Sequence, residues 1–364
     1  MSEPSRSFAP AWRRAAAGAV LLAFVVVPAT AASAETTTRL AEGSNVQVAI
    51  EYSQLSFEDD AAPVALLARD DDFADTLTSG SVQGLLNAPL LLTNRSVLSP
   101  ETAGELDRLG AESVIIMGGP EAVDPAVETQ LNTLGFDTTR VFGPTRVETA
   151  TEVAEAFFPI ATVAVVARAF PAANDPTTAF ADSLTAGNYS AASETPVLLT
   201  DTADLADSTR AYIEGSLIET ALVAGGNVAI ADPVVDELRS IPVGDLNPGD
   251  SQGTAAPPFE ARRVAGSTRA GTAVAFAMEL DFANAADSPR IILIESREAD
   301  AWASGLTAGA QATNGAATLL TDGPNLFDET RAFLGTGADV PLICGPRVDA
   351  AACDAASNAL GNEG

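Results

Sequence analysis

The sequence predicts an α/β fold made of three similar units, each built on a parallel sheet. Two observations predict it: a set of short motifs recurs three times, and short aliphatic runs alternate with helix-length segments inside each repeat. Aliphatic runs without polar alternation are typical of strands buried on both faces of a parallel sheet. Strand–helix alternation then places helices on both faces of that sheet.

The clearest repeat is the motif Phe-Ala-Asp-x-Leu-Thr-x-Gly at 73–80 and 180–187, which returns in degraded form at 302–309. An aliphatic run ending in threonine follows each copy, and then an aliphatic run ending in glycine. These six runs are 89–93, 196–200 and 317–321, then 114–119, 221–226 and 342–345. Ordered motifs that recur at nearly fixed spacing indicate repeated structural units. We expect the motif aromatics to lie in the core.

A further motif, Arg-x-x-Gly-x-x-Arg-x-x-Thr-Ala, opens the repeats at 140–150 and 263–273, and a worn copy stands at 39–43. The segment 242–258 is rich in Gly, Pro, Asp and Ser, which is typical of a loop. The predicted organisation is therefore a signal peptide and three repeats separated once by a linker. The segments are 1–34 for the signal peptide, 35–138, 139–242 and 262–364 for the repeats, and 243–261 for the linker.

Helix boundaries inside the repeats are marked by capping residues. Ser99 before Pro100 suits a helix start and Gly110 suits the stop. Asp124 and Asp232, each followed by proline, are predicted to cap the helices that follow the glycine pairs.

The N-terminus has the pattern of an export signal. Basic residues precede an uncharged stretch with its apolar centre at 15–27, and Ala32-Ser33-Ala34 matches a small-residue cleavage site. An uncleaved anchor is the alternative, but the apolar centre is shorter than the ~20 residues that span a bilayer. We predict a secreted protein cleaved after Ala34, with Ala31 as the alternative position.

The two cysteines, Cys344 and Cys353, lie close together near the C-terminus. In an exported protein they predict one disulfide that closes a short loop, with a reactive thiol as the alternative. Two cysteines without histidine make a poor metal site. We therefore predict no metal ligands and no cofactor.

Charge and composition exclude several classes of function. The chain has 364 residues, 49 acidic and 19 basic side chains, a formal net charge of −30 and no histidine, and every basic residue is arginine. Histidine general bases, Schiff-base lysines and P-loops are therefore absent from the sequence. The strong negative charge disfavours binding to nucleic acid or to a bare anionic membrane.

The ordered set of motifs resembles the cell wall-binding repeat family, type 2, over essentially the whole chain after the signal. The second copy is closest, with Ala-Arg at 167–168, the aromatic motif at 180–184 and the glycine pair at 225–226. The third departs most: Glu295-Ser296 replaces Ala-Arg, Ser304 replaces the aspartate and Cys344 stands for the first glycine.

The resemblance implies a toprim-like, Rossmann-like fold with three repeats in a compact pseudo-threefold arrangement. It also implies noncovalent attachment of an exported protein to the Gram-positive envelope, at the cell surface. The implied partner is a teichoic-acid-like or other anionic glycopolymer. The oligomeric state stays open, a monomer included.

Ten residues that recur between repeats are candidates for contact with such a ligand. They are Arg69, Asp75, Gly118, Gly119, Arg146, Arg168, Asp182, Gly225, Gly226 and Arg269. The arginines could bind phosphate or carboxylate, or else pair with neighbouring acids. The aspartates could bind sugar hydroxyls or a cation, or else cap helices. The glycines permit tight turns or the approach of a ligand to backbone amides.

We predict a non-catalytic binding protein, with no catalytic residue. The alternative is a metal-dependent hydrolase of envelope polymers that uses Asp75 and Asp182. Loss of the aspartate in the third repeat, at Ser304, argues against it. Multivalent binding tolerates the loss of one copy of a site better than catalysis does.

Overall fold

The structure is a computed structural model that describes residues 37–242, 258–313, 315–335 and 339–362. The predicted signal peptide, with both cleavage positions Ala31 and Ala34, lies outside the described residues, and so does most of the predicted linker, 243–257. No helix within the described ranges is long and apolar enough to cross a membrane.

Strands and helices alternate along the described chain. The strands are β1 (Thr37–Arg39), β2 (Val64–Arg69), β3 (Leu90–Thr93), β4 (Ser113–Met117), β5 (Asp137–Val141), β6 (Val163–Arg168), β7 (Val197–Thr200), β8 (Thr220–Ala224), β9 (Glu260–Val264), β10 (Ile291–Glu295), β11 (Ala317–Asp322), β12 (Asn325–Leu326) and β13 (Leu342–Cys344). The helices are α1 (Asn45–Ser56), α2 (Ser79–Leu86), α3 (Pro100–Arg108), α4 (Pro125–Leu134), α5 (Arg146–Phe157), α6 (Thr178–Ser193), α7 (Asp207–Gly215), α8 (Asp232–Arg239), α9 (Arg269–Glu279), α10 (Ala301–Thr307), α11 (Gly309–Ala312), α12 (Asp328–Leu334) and α13 (Ala350–Leu360).

Three sheets confirm the predicted α/β fold with repeated parallel-sheet units. The first two sheets are wholly parallel, with the strand orders β3-β2-β4-β5 and β7-β6-β8-β9. The third has the order β1-β13-β10-β11-β12, and only its short edge strand β12 is antiparallel. The central strands are buried on both faces, which explains their unbroken aliphatic sequences.

The sheets are offset from the sequence repeats by one strand. The strand of each opening motif pairs with the sheet of the repeat before it: β5 with β4, and β9 with β8. The worn opening motif obeys the same rule, because its strand β1 pairs with β13, near the other end of the chain. The third sheet is therefore completed by β1, the first strand of the described residues.

Side chains and a disulfide secure this closure. The Thr37 and Ser357 hydroxyls lie 2.8 Å apart, within hydrogen-bonding distance. Cys344, which stands opposite Arg39 in the β1–β13 register, forms a disulfide with Cys353 of α13. The predicted pairing of the two cysteines is present, and it joins the strand that receives β1 to the helix that covers it.

Equivalent helices from the three repeats meet at the centre of the molecule. These are α2, α6 and the α10–α11 pair, which contact one another. The motif aromatics pack there as expected: the ring centroid of Phe73 lies 5.2 Å from Phe180 and 6.1 Å from Trp302. The buried Gln83 amide donates to the Leu306 carbonyl at 2.8 Å, which ties the first unit to the third.

The glycine that ends the aromatic motif allows α2 and α6 to cross at backbone contact. A Cβ on Gly80 would lie 2.6 Å from the carbonyl carbon of Gly187 and 2.8 Å from its Cα. A Cβ on Gly187 would meet only the Gly80 Cα, at 4.0 Å. The crossing therefore requires glycine on one helix and merely tolerates it on the other.

Two of the three predicted helix starts are confirmed. Ser99 precedes α3, and Asp124 caps α4 by accepting a hydrogen bond from the amide of Ala126 at 2.7 Å. The prediction for Asp232 is wrong, because α8 begins at Asp232 itself. Its carboxylate instead pairs with Arg263 at 2.7 Å, so the ion pair takes the side chain away from the capping position.

Candidate ligand-binding grooves

Two equivalent grooves lie at the carboxyl ends of the parallel strands, which is where open α/β sheets bind ligands. Groove 1, of about 590 Å³, adjoins the first sheet, and groove 2, of about 360 Å³, adjoins the second. The residues that line groove 1 include Arg69, Asp75, Gly119, Phe142, Arg146 and Phe170. Those of groove 2 are Arg168, Asp182, Gly226, Ser267, Arg269 and Thr272.

The topology explains why distant candidates meet in each groove. Arg69 and Arg168 end β2 and β6, the first strands of their units, while Arg146 and Arg269 begin the helices that follow β5 and β9. Parallel strands end at the same edge of a sheet, so these side chains reach one edge from different motifs. Each groove thus receives one aspartate and two arginines from the recurring positions.

A hydrogen-bonded chain connects the opening motif to the aromatic motif in groove 1. The Gly143 amide donates to the Thr149 hydroxyl at 3.0 Å, and that hydroxyl donates to the Asp75 carboxylate at 2.9 Å. In groove 2 the Gly266 amide donates to Thr272 at 3.4 Å. The threonine that recurs in the opening motif therefore anchors the loop at the groove.

The first glycine of each pair makes room for the aspartate. Gly118 and Gly225 have φ of +110° and +87°, a conformation that favours glycine. A Cβ there would lie 2.6 Å from Asp75 Oδ2 and 2.5 Å from Asp182 Oδ2, respectively. These two glycines have a steric role, whereas the second glycines, 119 and 226, line the grooves.

Arg168 is the most unusual residue in either groove. Arg168 is only 7% exposed, and its Nε has no hydrogen-bond partner. It makes no ion pair in the described part of the chain. Burial lowers its pKa, against the attraction of Asp182 and Asp175. Its equivalent in groove 1, Arg69, instead pairs with Asp71 at 2.5 Å.

Arg146 and Arg269 face a groove and also bind the backbone just after the first strand of the next sheet. Arg146 donates to the carbonyl of Ala169 at 3.0 Å, and Arg269 donates to the carbonyl of Ser296. Arg269 also pairs with Asp175 at 3.0 Å. Of the four recurrent arginines, Arg69 and Arg269 are thus in ion pairs, while Arg146 and Arg168 have none among the described residues.

Burial raises the pKa of both groove aspartates. For Asp75 the Thr149 hydroxyl opposes the effect of burial, and for Asp182 the charges of Arg269 and Arg168 oppose it. The folded protein therefore holds a proton on Asp182 up to a higher pH than the unfolded chain does. The associated stability is complete below the unfolded pKa and is lost as the pH rises through the folded pKa.

Asp182→Asn is expected to remove the loss of folding stability that accompanies ionisation of Asp182, because asparagine is neutral and of similar shape. The variant should be more stable than the unmodified protein at neutral pH, and the difference should shrink as the pH falls toward the ordinary aspartate pKa of 3.8. Urea unfolding over a pH series measures it, with exposed Asp201→Asn as the control. Lower stability of Asp182→Asn at neutral pH would contradict the expectation.

The third unit has lost both arginines at the equivalent place. Registers that align Arg69 with Thr93 and Arg168 with Thr200 align Glu295 with Thr321. The sequence alignment of Ser296 with these arginines is therefore wrong by one residue, and Glu295 stands in their place. Glu295 is buried, and its carboxylate accepts hydrogen bonds from the amides of residues 296, 297 and 323. The equivalent of Arg146 is Asn45, the first residue of α1.

The sequence alignment of Cys344 with the first glycine is wrong. A Cβ on Gly345 would lie 2.7 Å from the Ser304 hydroxyl, just as Gly118 and Gly225 face their aspartates. Gly345 is therefore the equivalent glycine, and Cys344 ends β13 as Met117 ends β4. The aliphatic-glycine pattern slipped by one residue because only one glycine remains in this copy.

Several groove residues were not predicted from the sequence. Phe142 and Phe170 line groove 1, and Thr149 binds Asp75 there. Alignment of the opening motifs places Phe142 opposite Ala265, a difference that could have signalled a change between repeats. Phe170 gave no such signal, because it follows β6 in a segment where the repeats differ in length.

In the described ranges, no group of three or more Cys, Asp or Glu residues could hold a metal ion.

The repeats are similar to those of known cell-wall proteins. The family model described as "Cell wall binding domain 2 (CWB2)" matches residues 35–128 and 140–235, more than half of the chain. The N-acetylmuramoyl-L-alanine amidase LytC of Bacillus subtilis is 27% identical over 219 residues, which is 60% of this chain and 42% of LytC. The chain thus spans less than half of the length of this relative.

Two solved structures share the fold. Cwp8 from Clostridium difficile superposes with a TM-score of 0.74 at 21% identity, covering 90% of this chain and 52% of Cwp8. Cwp6 from the same organism gives 0.72 at 18% identity, covering 89% of this chain and 48% of Cwp6. At these identities the likeness concerns the fold.

Proposed function

The chain belongs to the cell wall binding domain 2 family, and on this premise we propose that it is an exported, non-catalytic protein that attaches to the Gram-positive envelope through an anionic glycopolymer. The family assignment indicates a cell-wall partner. We propose in addition that this partner is anionic and that its charged group binds in groove 2. Export rests on the predicted signal with cleavage after Ala34.

The burial of Arg168 without an ion pair among the described residues is the observation that supports an anionic ligand most strongly. The Arg168 residue is 7% exposed, its Nε has no hydrogen-bond partner, and burial lowers its pKa, so the folded protein holds this charge at a cost in desolvation free energy. A phosphate or carboxylate that entered groove 2 would restore its hydrogen bonds in a bidentate geometry. Arg269 lies in the same groove and offers a second positive charge. Groove 2 therefore supports an anionic ligand group in a protein that is otherwise strongly acidic.

The net charge shapes how such binding must work. A formal charge of −30 repels an anionic polymer at long range, where salt screens the interaction. Contact with a buried arginine acts at short range and is screened much less. Moderate salt or divalent cations should thus reduce the repulsion more than they weaken the contact.

The distribution of carboxylates supports binding rather than hydrolysis. Asp75 and Asp182 face different grooves, one in each, and the third unit has Ser304 in their place. A hydrolase of the common two-carboxylate type needs both groups on one substrate. The likeness to an amidase covers less than half of that enzyme.

Sedimentation with isolated Gram-positive cell walls tests the proposal. We expect the purified chain from residue 35 onward to sediment with intact walls, and not with walls stripped of phosphodiester-linked polymers by hydrofluoric acid. Binding should persist at moderate salt and with added Mg²⁺ or Ca²⁺. Absence of sedimentation under every ionic condition would overturn wall binding, and equal binding to stripped walls would overturn the anionic ligand.

A further inference from the structure

Groove 1 contains the exposed aromatic rings of the described chain. Phe142 is 43% exposed and Phe170 is 40% exposed, and every other described Phe, Tyr or Trp is buried or half-buried. Both rings line groove 1, although they follow different strands of different sheets, β5 and β6. Single exposed apolar side chains are ordinary, but two aromatic rings in one groove form a shared apolar surface.

Each ring is held by packing, so its position is defined before any ligand arrives. A Cβ on Gly119 would lie 2.9 Å from Phe142 Cδ2, so the absence of a side chain there lets the ring rest against the backbone. The Arg146 guanidinium lies 5.3 Å from the Phe170 centroid and 5.4 Å from the Phe73 centroid. This cation–π contact orients Phe170 from the side of Arg146.

The polar groups of groove 1 are those that recognise hydroxyls. Arg69, Asp75 and Arg146 line it together with the two rings. A sugar ring has an apolar face of C–H groups and a rim of hydroxyls, which matches aromatic surfaces bordered by charged donors and acceptors. An anion alone would gain nothing from the rings.

The other two units lack this combination. Ala265 and Arg297 follow β9 and β10 where Phe142 and Phe170 follow β5 and β6, and the third equivalent place has Leu40 and Asp71. Groove 2 instead has the buried Arg168, whose Nε has no hydrogen-bond partner. The three repeats have therefore diverged in chemistry at one structural position.

We propose that groove 1 is a saccharide subsite, in which Phe142 and Phe170 stack on the apolar face of a sugar ring of the wall polymer. This rests on the proposed function, because the sugar belongs to the polymer whose anionic group enters groove 2. The two grooves divide the work: groove 1 recognises the ring and groove 2 the charge. A second copy of the chain is the other occupant that the test separates.

Phe170→Trp provides a direct reporter, because Trp302 is the only other tryptophan after residue 34 and it is buried. Soluble polysaccharide released from Gram-positive walls should change the emission of Phe170→Trp. The matched control is Ile160→Trp, at a position 79% exposed and outside both grooves, and its emission should stay unchanged. Inorganic polyphosphate, an anion without sugar rings, should leave Phe170→Trp unchanged as well.

Leucine variants separate stacking from simple apolar contact. Phe142→Leu and Phe170→Leu should each weaken wall binding about fivefold, since an aromatic stacking pair contributes ~1 kcal/mol. Phe170→Trp should retain binding. Wall binding that is unchanged in both leucine variants would overturn the saccharide subsite and leave the proposed function intact, whereas no binding by the unmodified chain would overturn the proposed function itself. A change of oligomeric state in Phe170→Leu on gel filtration would assign the rings to a second copy and overturn the subsite too.

Discussion

Gly80→Ala is expected to lower the free energy of unfolding by about 3 kcal/mol, the upper part of the range for overpacked cores. The new Cβ would overlap the backbone of Gly187. To relieve the overlap α6 would have to shift, and this would disturb its contacts with the other central helices. Backbone atoms yield less readily than the end of a flexible side chain, so the cost should be large. Chemical unfolding followed by circular dichroism measures it.

Gly187→Ala is the matched control, from the same motif and the same helix crossing. Its Cβ would meet the nearest atom at 4.0 Å, an ordinary contact. Alanine also gains up to about 1 kcal/mol over glycine in a helix interior. The variant should therefore be as stable as the unmodified protein or slightly more stable. Equal destabilisation by both substitutions would contradict the asymmetric crossing.

Arg168→Gln is expected to reduce wall binding by about tenfold or more, because a hydrogen bond between charged groups contributes about 1.5–3 kcal/mol. The same variant should unfold at the same or a higher denaturant concentration, because it removes a buried cation whose Nε has no hydrogen-bond partner and which makes no ion pair within the described residues. Lost binding without lost stability is the signature of a residue kept for its ligand. Sedimentation and chemical unfolding on one preparation measure both.

Arg262→Gln controls for the change in net charge. Arg262 lies on β9, is exposed, and pairs with Glu279 at 2.5 Å, outside both grooves. It should bind walls like the unmodified chain. Arg168→Lys keeps the charge but loses the bidentate geometry, so its affinity for walls should fall between those of Arg168→Gln and the unmodified chain. If Arg168→Gln bound as tightly as Arg262→Gln, groove 2 would not be the anion site.

Local patterns allowed much of the fold to be predicted. Continuous aliphatic runs identify buried parallel strands, and the recurring motifs identify the three units, because both signals depend on neighbouring residues. The pairing of β1 with β13 has no such signal, since register between distant strands is set only in the folded molecule. The same limit explains the slip at Cys344, where one remaining glycine fitted two alignments.

The candidate site was predicted in part for a similar reason. Arg168 and Asp182 recur between repeats, so their positions stood out in the sequence. The different environments of Arg69 and Arg168 did not stand out. Arg69 pairs with Asp71, two residues away, whereas Arg168 has phenylalanine at the same spacing. Phe142 and Phe170 differ between repeats, and comparison of motifs finds what recurs rather than what has diverged.

The third sheet joins segments that lie 320 residues apart in the chain, as the Thr37–Ser357 contact shows. The first and second sheets use strands from one stretch of sequence, so each can form as soon as that stretch is available. The third must wait for a high-contact-order closure, whose loop entropy slows folding. Proteolytic loss of β1 at one side of this sheet, or of β13 and α13 at the other, would therefore open the same sheet.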